Sequence, residues 1–282
     1  MKIQHLRNAT ALVTIGAHRL LVDPMLSLPG AMPGFKMFGG GRRRNPLVPM
    51  PDASTNALAT ATAVIITHEH PDHFDRAGLA WVKERNLPVY TNGIDAPSLR
   101  RKGLDVRLLE SGALGLEVET IRSRHGRALL GWMLGPVAGY YLAHPDEPSV
   151  YLLGDSILTE NVLEAVERLQ PDVILAPAGA ANMGIGGDIL FSVDELMELT
   201  RRARGQLVFN HLEALDHCPT TRAALRQRLA EEGFAGRTFV PEDGEILTFE
   251  GPARASASGK LRRTPIERPG AQKWITGAFA GT

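Results

Sequence analysis

A buried-strand pattern that ends directly in a histidine-rich segment constrains this chain more than any other feature. The apolar run Ala63-Val64-Ile65-Ile66 predicts a strand covered on both faces, since β-branched residues without polar alternation are typical of the middle of a sheet. The residues that follow are Thr67-His68-Glu69-His70-Pro71-Asp72-His73. Side chains alternate along an extended chain, so the first two histidines project the same way, and the turn at the proline brings the next aspartate and histidine near them. Borderline metals bind imidazole nitrogen and carboxylate oxygen, so the segment predicts a metal-binding loop.

Three further donor residues, His125, Asp155 and His211, each lie just beyond another strand pattern. Ligand sites in α/β proteins gather at strand ends, so we expect these side chains to approach the histidine-rich segment. Together they would supply enough donors for two metal ions, with one carboxylate able to bridge. Taken singly, each has an ordinary alternative: a lone histidine is usually packed or solvated, and Asp155 could instead be a turn residue that caps a helix starting near Thr159.

The order of the predicted elements favours one α/β sandwich domain over residues 1–250. Strand patterns come first, strands and helices mix through the middle, and βα units close the chain. Asp75 and the Ser192–Glu195 capping box predict two helix starts. Residues 24–55 carry many prolines and glycines and little periodicity, which predicts a long loop that is either functional or disordered. Residues 251–282 contain six Lys or Arg against one Glu and are assigned as a C-terminal extension.

The spacing His68-x-His70-x-Asp72-His73, followed in order by His125, Asp155 and His211, resembles the metallo-β-lactamase superfamily. Within it, the chain is similar to predicted metal-dependent hydrolases that include the ascorbate-6-phosphate lactonase-like proteins. The segments that support this branch are Ile3 to Asn8, Leu21-Val22-Asp23-Pro24, Gly154-Asp155 and His211-Leu212-Glu213-Ala214. The resemblance covers about residues 1–250. It implies a four-layer αββα sandwich, in which two β-sheets lie face to face with helices outside.

The resemblance also implies a division of the seven donors between two metal sites. His68, His70 and His125 would form site one; Asp72, His73 and His211 would form site two, with Asp155 bridging. The mixed nitrogen and oxygen set suits two divalent transition metal ions, most of all Zn, with Mn or Fe as alternatives. Asp72 and Asp155 are the catalytic candidates, although a metal-bound carboxylate is a poor base and Asp72 ranks as a ligand first. Two such ions would lower the pKa of a shared water.

Three residues near these ligands are candidates for contact with the substrate. His217 could touch the substrate or orient His211, or could simply be a histidine at a helix entry. Glu213 has the same status. Asp188 follows a glycine cluster, and a Gly-Asp pair occurs beside the active site in the related branch, so Asp188 could contact the substrate or a ligand histidine.

Two other segments and the cysteine allow a functional and an ordinary interpretation. Arg42-Arg43-Arg44 could clamp an anionic substrate, although a charge run is usually a solvated face. The apolar stretch 128–143 could line the pocket, belong to the core or form a subunit contact. Cys218 is interpreted as a small buried residue rather than a nucleophile, because no environment that would lower its pKa is apparent.

The predicted function is hydrolysis of a small ester, lactone or amide. The alternatives are a phosphodiesterase or nuclease of the same fold, or a non-hydrolytic iron-binding redox or sensor protein. Lys plus Arg and Asp plus Glu are equal at 31 each, which argues against nucleic acid and an anionic membrane as partners and leaves a small-molecule substrate. A homo-oligomer is left open. Because Cys218 is the only cysteine, and no secretory signal or membrane-length apolar run is present, we expect a cytoplasmic protein.

Overall fold

The computed structural model describes residues 1–127, 131, 133–184, 187–252 and 261–262. The strands are β1 (Lys2–Arg7), β2 (Thr10–Ile15), β3 (His18–Val22), β4 (Ala63–Ile65), β5 (Val89–Thr91), β6 (Val106–Leu108), β7 (Glu117–Arg124), β8 (Pro136–His144), β9 (Glu147–Leu152), β10 (Val173–Pro177), β11 (Gln206–Asn210), β12 (Thr238–Phe239) and β13 (Ile246–Thr248). The helices are α1 (Ser54–Thr60), α2 (Arg76–Arg85), α3 (Ala96–Arg101), α4 (Glu160–Leu169), α5 (Val193–Arg202) and α6 (Arg222–Glu231), with short 3-10 helices at Ala113–Gly115 and Ala235–Arg237. None of these described helices has the length and apolar character needed to cross a membrane.

The strands form two sheets, with the orders β13-β1-β2-β3-β4-β5-β6 and β12-β11-β10-β9-β8-β7. Strands β2 and β3 form an antiparallel hairpin. From β3 to β6 the first sheet is parallel, and from β9 to β12 so is the second. Parallel neighbours need crossover connections, which is why helices separate most of these strands in the sequence. The carboxyl ends of the parallel strands consequently gather at one edge of each sheet.

Three apolar layers confirm the αββα sandwich. Successive side chains of β10 point in opposite directions: Val173 and Leu175 pack between the two sheets, whereas Ile174 and Ala176 pack under the outer helices α4 to α6. Leu21 and Val64 lie on the outer face of the first sheet with α1 to α3. This period of two is the one that a sheet buried on both faces requires.

Side-chain caps fix the starts of the longer helices. Asp75 accepts a hydrogen bond from the Gly78 N–H at the start of α2, and Ser192 forms a full capping box with Glu195 at the start of α5. Both starts were predicted. Thr159 caps α4, so Asp155 is not the cap of that helix.

The chain after β3 is a long loop over residues 24–50, as predicted. Helix α1 begins at Ser54, inside the range assigned to the loop, so the loop is shorter than predicted. Residues 24–50, named here the wall segment, are held by buried charges: the Arg7 guanidinium donates to the carbonyl oxygens of Met25 at 2.7 Å, Ser27 at 3.1 Å and Val48 at 3.0 Å. These hydrogen bonds give the wall segment a defined position in the fold.

Two of the open assignments fall partly outside the described residues. Of the apolar stretch 128–143, residues 136–143 belong to β8, where Tyr140 and Tyr141 are core residues. The core interpretation is confirmed there; residues 128–130 and Trp132 lie outside the description. Of the C-terminal extension, only residues 251–252 and 261–262 are described.

Candidate metal centre

The structure brings all seven predicted ligands together in two groups. The first group is His68, His70 and His125; the second is Asp72, His73, Asp155 and His211. Within each group the donor atoms lie within 4.8 Å of one another. Six of the side chains are buried and His70 is half-buried.

Each ligand reaches this place because it follows a strand end. Residues 68–73 continue from β4, and the turn at Pro71 is closed by hydrogen bonds from the N–H groups of His73 and Phe74 to the His70 carbonyl, at 3.0 and 2.8 Å. His125 follows β7, Asp155 follows β9 and His211 follows β11. Both sheets therefore contribute donors to one edge of the sandwich.

Asp155 lies between the two groups. Its Oδ1 is 3.0 Å from Nε2 of His73. Its Oδ2 is 3.4 Å from Nε2 of His125 and 3.6 Å from Nε2 of His211. The Asp155 carboxylate therefore contacts histidines of both groups, which is the position that a bridging ligand requires and that the family resemblance implies.

The rings of four histidines are oriented by contacts at Nδ1. The partners are the Thr67 hydroxyl for His68 at 3.1 Å, Asp23 for His73 at 2.8 Å, the Ile189 carbonyl for His125 at 2.7 Å and Cys218 Sγ for His211 at 3.5 Å. Contacts of this kind are what ligand histidines use to fix their orientation, leaving Nε2 for a metal.

The atoms at the centre of the site are not satisfied by protein hydrogen bonds. Nε2 of His68, His73 and His211 and Oδ1 of Asp155 are buried and form no hydrogen bond, although His73 Nε2 and Asp155 Oδ1 face each other as an ion pair at 3.0 Å. Buried polar atoms are nearly always satisfied, so a group of four calls for an explanation. Divalent ions at this position would use all four atoms, and the donor set therefore fits a metal centre.

The three histidines of the first group all have lowered pKa values, which favours the neutral imidazole. Burial lowers the pKa of His68 well below its usual range and lowers the pKa of His125 as well. For His70, burial and then the nearby His125 lower the pKa to about 4. An unprotonated imidazole has the free nitrogen lone pair that metal binding needs.

The side chains of the second group favour their charged forms. Burial would raise the pKa of both carboxyls, but His211 and His73 outweigh it and hold the pKa of Asp72 and Asp155 far below the usual range. Burial likewise opposes the charge on His73, but Asp155 and Asp23 raise its pKa to about 10. For His211, burial is outweighed first by Asp155, and the pKa lies well above its ordinary value.

Asp23 is a site residue to which the sequence argument assigned no role. Its Oδ2 lies 2.8 Å from His73 Nδ1 and accepts from the Thr67 hydroxyl at 2.7 Å, while Oδ1 accepts from the Thr67 N–H at 2.8 Å. A signal for it exists, because Asp23 follows β3 directly and β3 pairs in parallel with β4. The ends of neighbouring parallel strands share an edge, which places Asp23 beside the histidine-rich segment.

The three substrate candidates lie in different surroundings. His217 is buried, with Nε2 3.9 Å from Oδ2 of Asp72 and Nδ1 without a hydrogen bond. Glu213 is paired with Arg222, whose backbone N–H and guanidinium donate to its two oxygens at 2.9 and 2.6 Å. Asp188 is half-buried, and it is the next residue, Ile189, whose carbonyl contacts His125.

Asp216 fastens the wall segment to the chain that carries His217. Its carboxylate accepts hydrogen bonds from the N–H groups of Phe35 at 2.9 Å, Lys36 at 3.3 Å and Arg43 at 3.1 Å. It also accepts from the side chain of Asn45 at 2.9 Å. The Phe35 ring consequently packs edge-on against His217, with ring centres 5.3 Å apart.

The arginine run has a structural use within the wall segment. Arg42 donates to the Gly34 carbonyl at 3.0 Å, and Arg44 donates to the carbonyls of Gly30 and Ala31 at 2.6 and 3.3 Å. These two guanidinium groups thus bind their own segment.

Two facing sheets, helices outside them and a histidine–carboxylate cluster at the strand ends define the class of α/β sandwich proteins with a metal site. A family model described as the β-lactamase superfamily domain matches residues 18–211. The chain belongs to the β-lactamase superfamily.

Three similar proteins extend this match to 88% of the chain. The UPF0173 protein YddR of Bacillus subtilis is 30% identical, over 88% of this chain and 100% of its own length. A crystal structure of an isothiocyanate hydrolase from Delia radicum gut bacteria is 30% identical with a TM-score of 0.81, covering 88% of this chain and 99% of that one. A possible metal-dependent hydrolase from Veillonella parvula is 29% identical with a TM-score of 0.82 and the same two coverages. These similarities support a metal-dependent hydrolase.

Proposed function

We propose that this protein is a dinuclear metal-dependent hydrolase that adds water to an electrophilic carbon of a small neutral ester, lactone or amide. The observation that carries the proposal is the pair of donor groups joined by Asp155, with buried Nε2 atoms at their centre that form no hydrogen bond. The first group, His68, His70 and His125, would hold one ion. Asp72, His73 and His211 would hold the other. Zinc suits this mixed donor set best, with manganese or iron as alternatives.

Ions bound here would lower the pKa of a water molecule toward neutrality and polarise the oxygen of the substrate. Asp155 and Asp72 remain ionised and supply negative charge to hold the ions. His217 belongs to neither donor group, and burial lowers its pKa, so its ring is neutral at pH 7. We assign to His217, which lies beside Asp72, the role of forming a hydrogen bond with the substrate.

The surroundings favour an uncharged substrate over a phosphodiester. Phe35 presents an apolar ring beside His217, and Met25, Ala181 and Leu215 belong to the apolar cluster in which Phe35 packs. Arg42 and Arg44 are occupied by carbonyl groups of the wall segment. An anionic substrate is expected to be held by arginine or lysine side chains, preferably bidentate.

Isothiocyanates are a second candidate substrate class. The observation in favour is the 30% identity to an isothiocyanate hydrolase over 99% of that chain. The oxygen of water would bond to the central carbon and a proton would pass to nitrogen, giving a thiocarbamate. Cleavage of its carbon–nitrogen bond, with the remaining proton moving from sulfur to nitrogen, releases an amine and carbonyl sulfide. An isothiocyanate is small and neutral, and the apolar surroundings of Phe35 favour such a substrate.

The test is a turnover screen of the full-length protein supplied with Zn, Mn or Fe. Lactones, esters, amides and isothiocyanates are compared with bis(p-nitrophenyl) phosphate, and the Asp155→Asn variant reports contaminating activity. We expect a neutral carbon substrate to be preferred over the phosphodiester by roughly 100-fold or more in kcat/KM. A preference for the phosphodiester, or equal rates with Asp155→Asn, would refute the proposal.

A further inference from the structure

Asn8 lies in the turn between β1 and β2, far along the sequence from every candidate ligand, yet it contacts two of them. Its side-chain Nδ2 donates to the backbone carbonyl of Asp72 at 2.8 Å. Its own backbone carbonyl accepts from the N–H of His211 at 2.8 Å. Asn8 is completely buried. One residue thus joins the histidine-rich loop of the first sheet to the end of β11 in the second.

The backbone at this junction is unusual on both sides. Asn8 has a φ of 57° and His211 a φ of 59°, so both adopt the left-handed conformation. Asparagine tolerates this conformation better than most residues, whereas for histidine it must be maintained by the surroundings. The hydrogen bond from His211 to Asn8 is one of the contacts that hold His211 in this conformation. It therefore helps to direct the imidazole toward the second donor group.

The two hydrogen bonds of Asn8 affect the distance between Asp72 and His211. Oδ2 of Asp72 and Nε2 of His211 are 3.7 Å apart, although they come from loops attached to different sheets. Neither ligand loop bonds to the other by its backbone among the described residues; both bond to Asn8. The first donor group is not attached to Asn8 in this way.

We propose that Asn8 is a positioning residue for the second metal site. It sets the separation of Asp72 and His211 and thereby the affinity of that site, while the first site is left nearly unaffected. This inference rests on the proposed two-ion function. Supporting residues around metal ligands are worth about 10- to 100-fold in affinity, so we expect a loss of that size for the second ion only.

The test uses Asn8→Gly in the full-length protein. Glycine accepts the positive φ and keeps the backbone carbonyl that binds His211, so only the side-chain bond to Asp72 is removed. Asn8→Asp is a second variant: it keeps the size of the side chain, but its ionised carboxylate cannot donate to a carbonyl. The matched control is Asn86→Gly, because Asn86 also has a positive φ of 50°, at the exposed end of α2.

Zn²⁺ is titrated calorimetrically into each chelator-treated protein, and the two equivalents are fitted separately. We expect both Asn8 variants to bind the second equivalent about 10- to 100-fold more weakly and the first within about threefold of wild type, with Asn86→Gly unchanged. Unchanged second-site affinity overturns the inference alone, as does an equal loss at both sites, which would mark a general structural defect. A wild type that binds fewer than two equivalents overturns this inference and the proposed function together.

Discussion

The metal centre and the wall segment meet at His217 but are built in opposite ways. The ligands sit on short turns at the ends of strands, so the two sheets themselves fix their positions. The wall segment has little regular structure and is held by charged side chains from distant parts of the chain, Arg7, Asp75 and Asp216, which bond to its backbone. The difference implies that metal binding should survive damage to the wall segment, whereas substrate binding should not.

The largest effect is expected from loss of a ligand in the first group. In His70→Ala, we expect most of the bound metal to be lost and kcat/KM to fall by roughly 10³-fold, more than the 10- to 100-fold typical of residues that only support a ligand. Metal content and turnover are measured on the same preparation. His18→Ala, at the start of β3, is the control. If the His70→Ala variant keeps the wild-type metal content, His70 is not a metal ligand.

The next largest effect concerns pH. His73, whose pKa is raised to about 10, and His211, whose pKa is also raised, carry protons at pH 7 without metal, and a metal ion must displace them. Each displaced proton makes the metal affinity rise tenfold per pH unit. The affinity of the second donor group for Zn²⁺ should therefore rise by up to about 100-fold per unit between pH 7 and 9. Calorimetry in buffers of different ionisation enthalpy counts the released protons. Affinity that is flat across this range would contradict the assignment.

The same shift gives a stability prediction for the metal-free protein. Because folding raises the pKa of His73, protonation stabilises the fold fully below the ordinary value of 6.5, and this contribution is lost as pH rises through about 10. Urea unfolding of chelator-treated protein should therefore show declining stability over that range. The His73→Gln variant, which cannot take up the proton, should lose the part of this pH dependence that His73 contributes and keep the part from His211, whose pKa is also raised.

A smaller effect is expected from releasing the wall segment. Asp216→Ala removes the carboxylate that binds the Phe35, Lys36 and Arg43 amides. Each such bond contributes about 1 kcal/mol net, so KM for an apolar substrate should rise about tenfold while metal content stays the same. Hydrogen exchange should show lost protection at those amides. Asp52→Ala, an exposed aspartate just beyond the segment, is the control. Loss of metal in Asp216→Ala would break the contrast between the two regions.

The smallest effect is expected at Cys218. Burial raises the pKa of its thiol despite the nearby His211, so it is neutral at pH 7 and a poor nucleophile. In Cys218→Ser the hydroxyl can still face His211 Nδ1, and activity should stay within about threefold of wild type. A loss of several orders of magnitude with metal retained would assign the thiol a chemical role.

The ligand set could be predicted because its signals are local. Residues 68–73 place four donors in one short segment, and His125, Asp155 and His211 each stand just after a recognisable strand pattern. Strand ends are where α/β proteins gather ligands, so the pattern carried over to the fold. Asp23 has the same signal, and pairing β3 with β4 would have found it.

The supporting contacts could not be predicted because they are long-range and use backbone atoms. Asp216 bonds to amides about 180 positions earlier in the chain, and Asn8 bonds to the carbonyl of Asp72. A backbone amide or carbonyl has no signature in the sequence. For the same reason the contact of the Ile189 carbonyl with His125 could not be foreseen, although the neighbouring Asp188 could be named as a candidate.

The presence of a two-metal centre is tested by elemental analysis of the full-length wild-type protein purified without chelators. We expect close to two equivalents of transition metal per chain, one for each donor group. We also expect chelation to abolish turnover and added Zn or Mn to restore it. A wild-type protein with only trace metal, whose activity neither ion rescues, would show that the two donor groups do not form a metal centre.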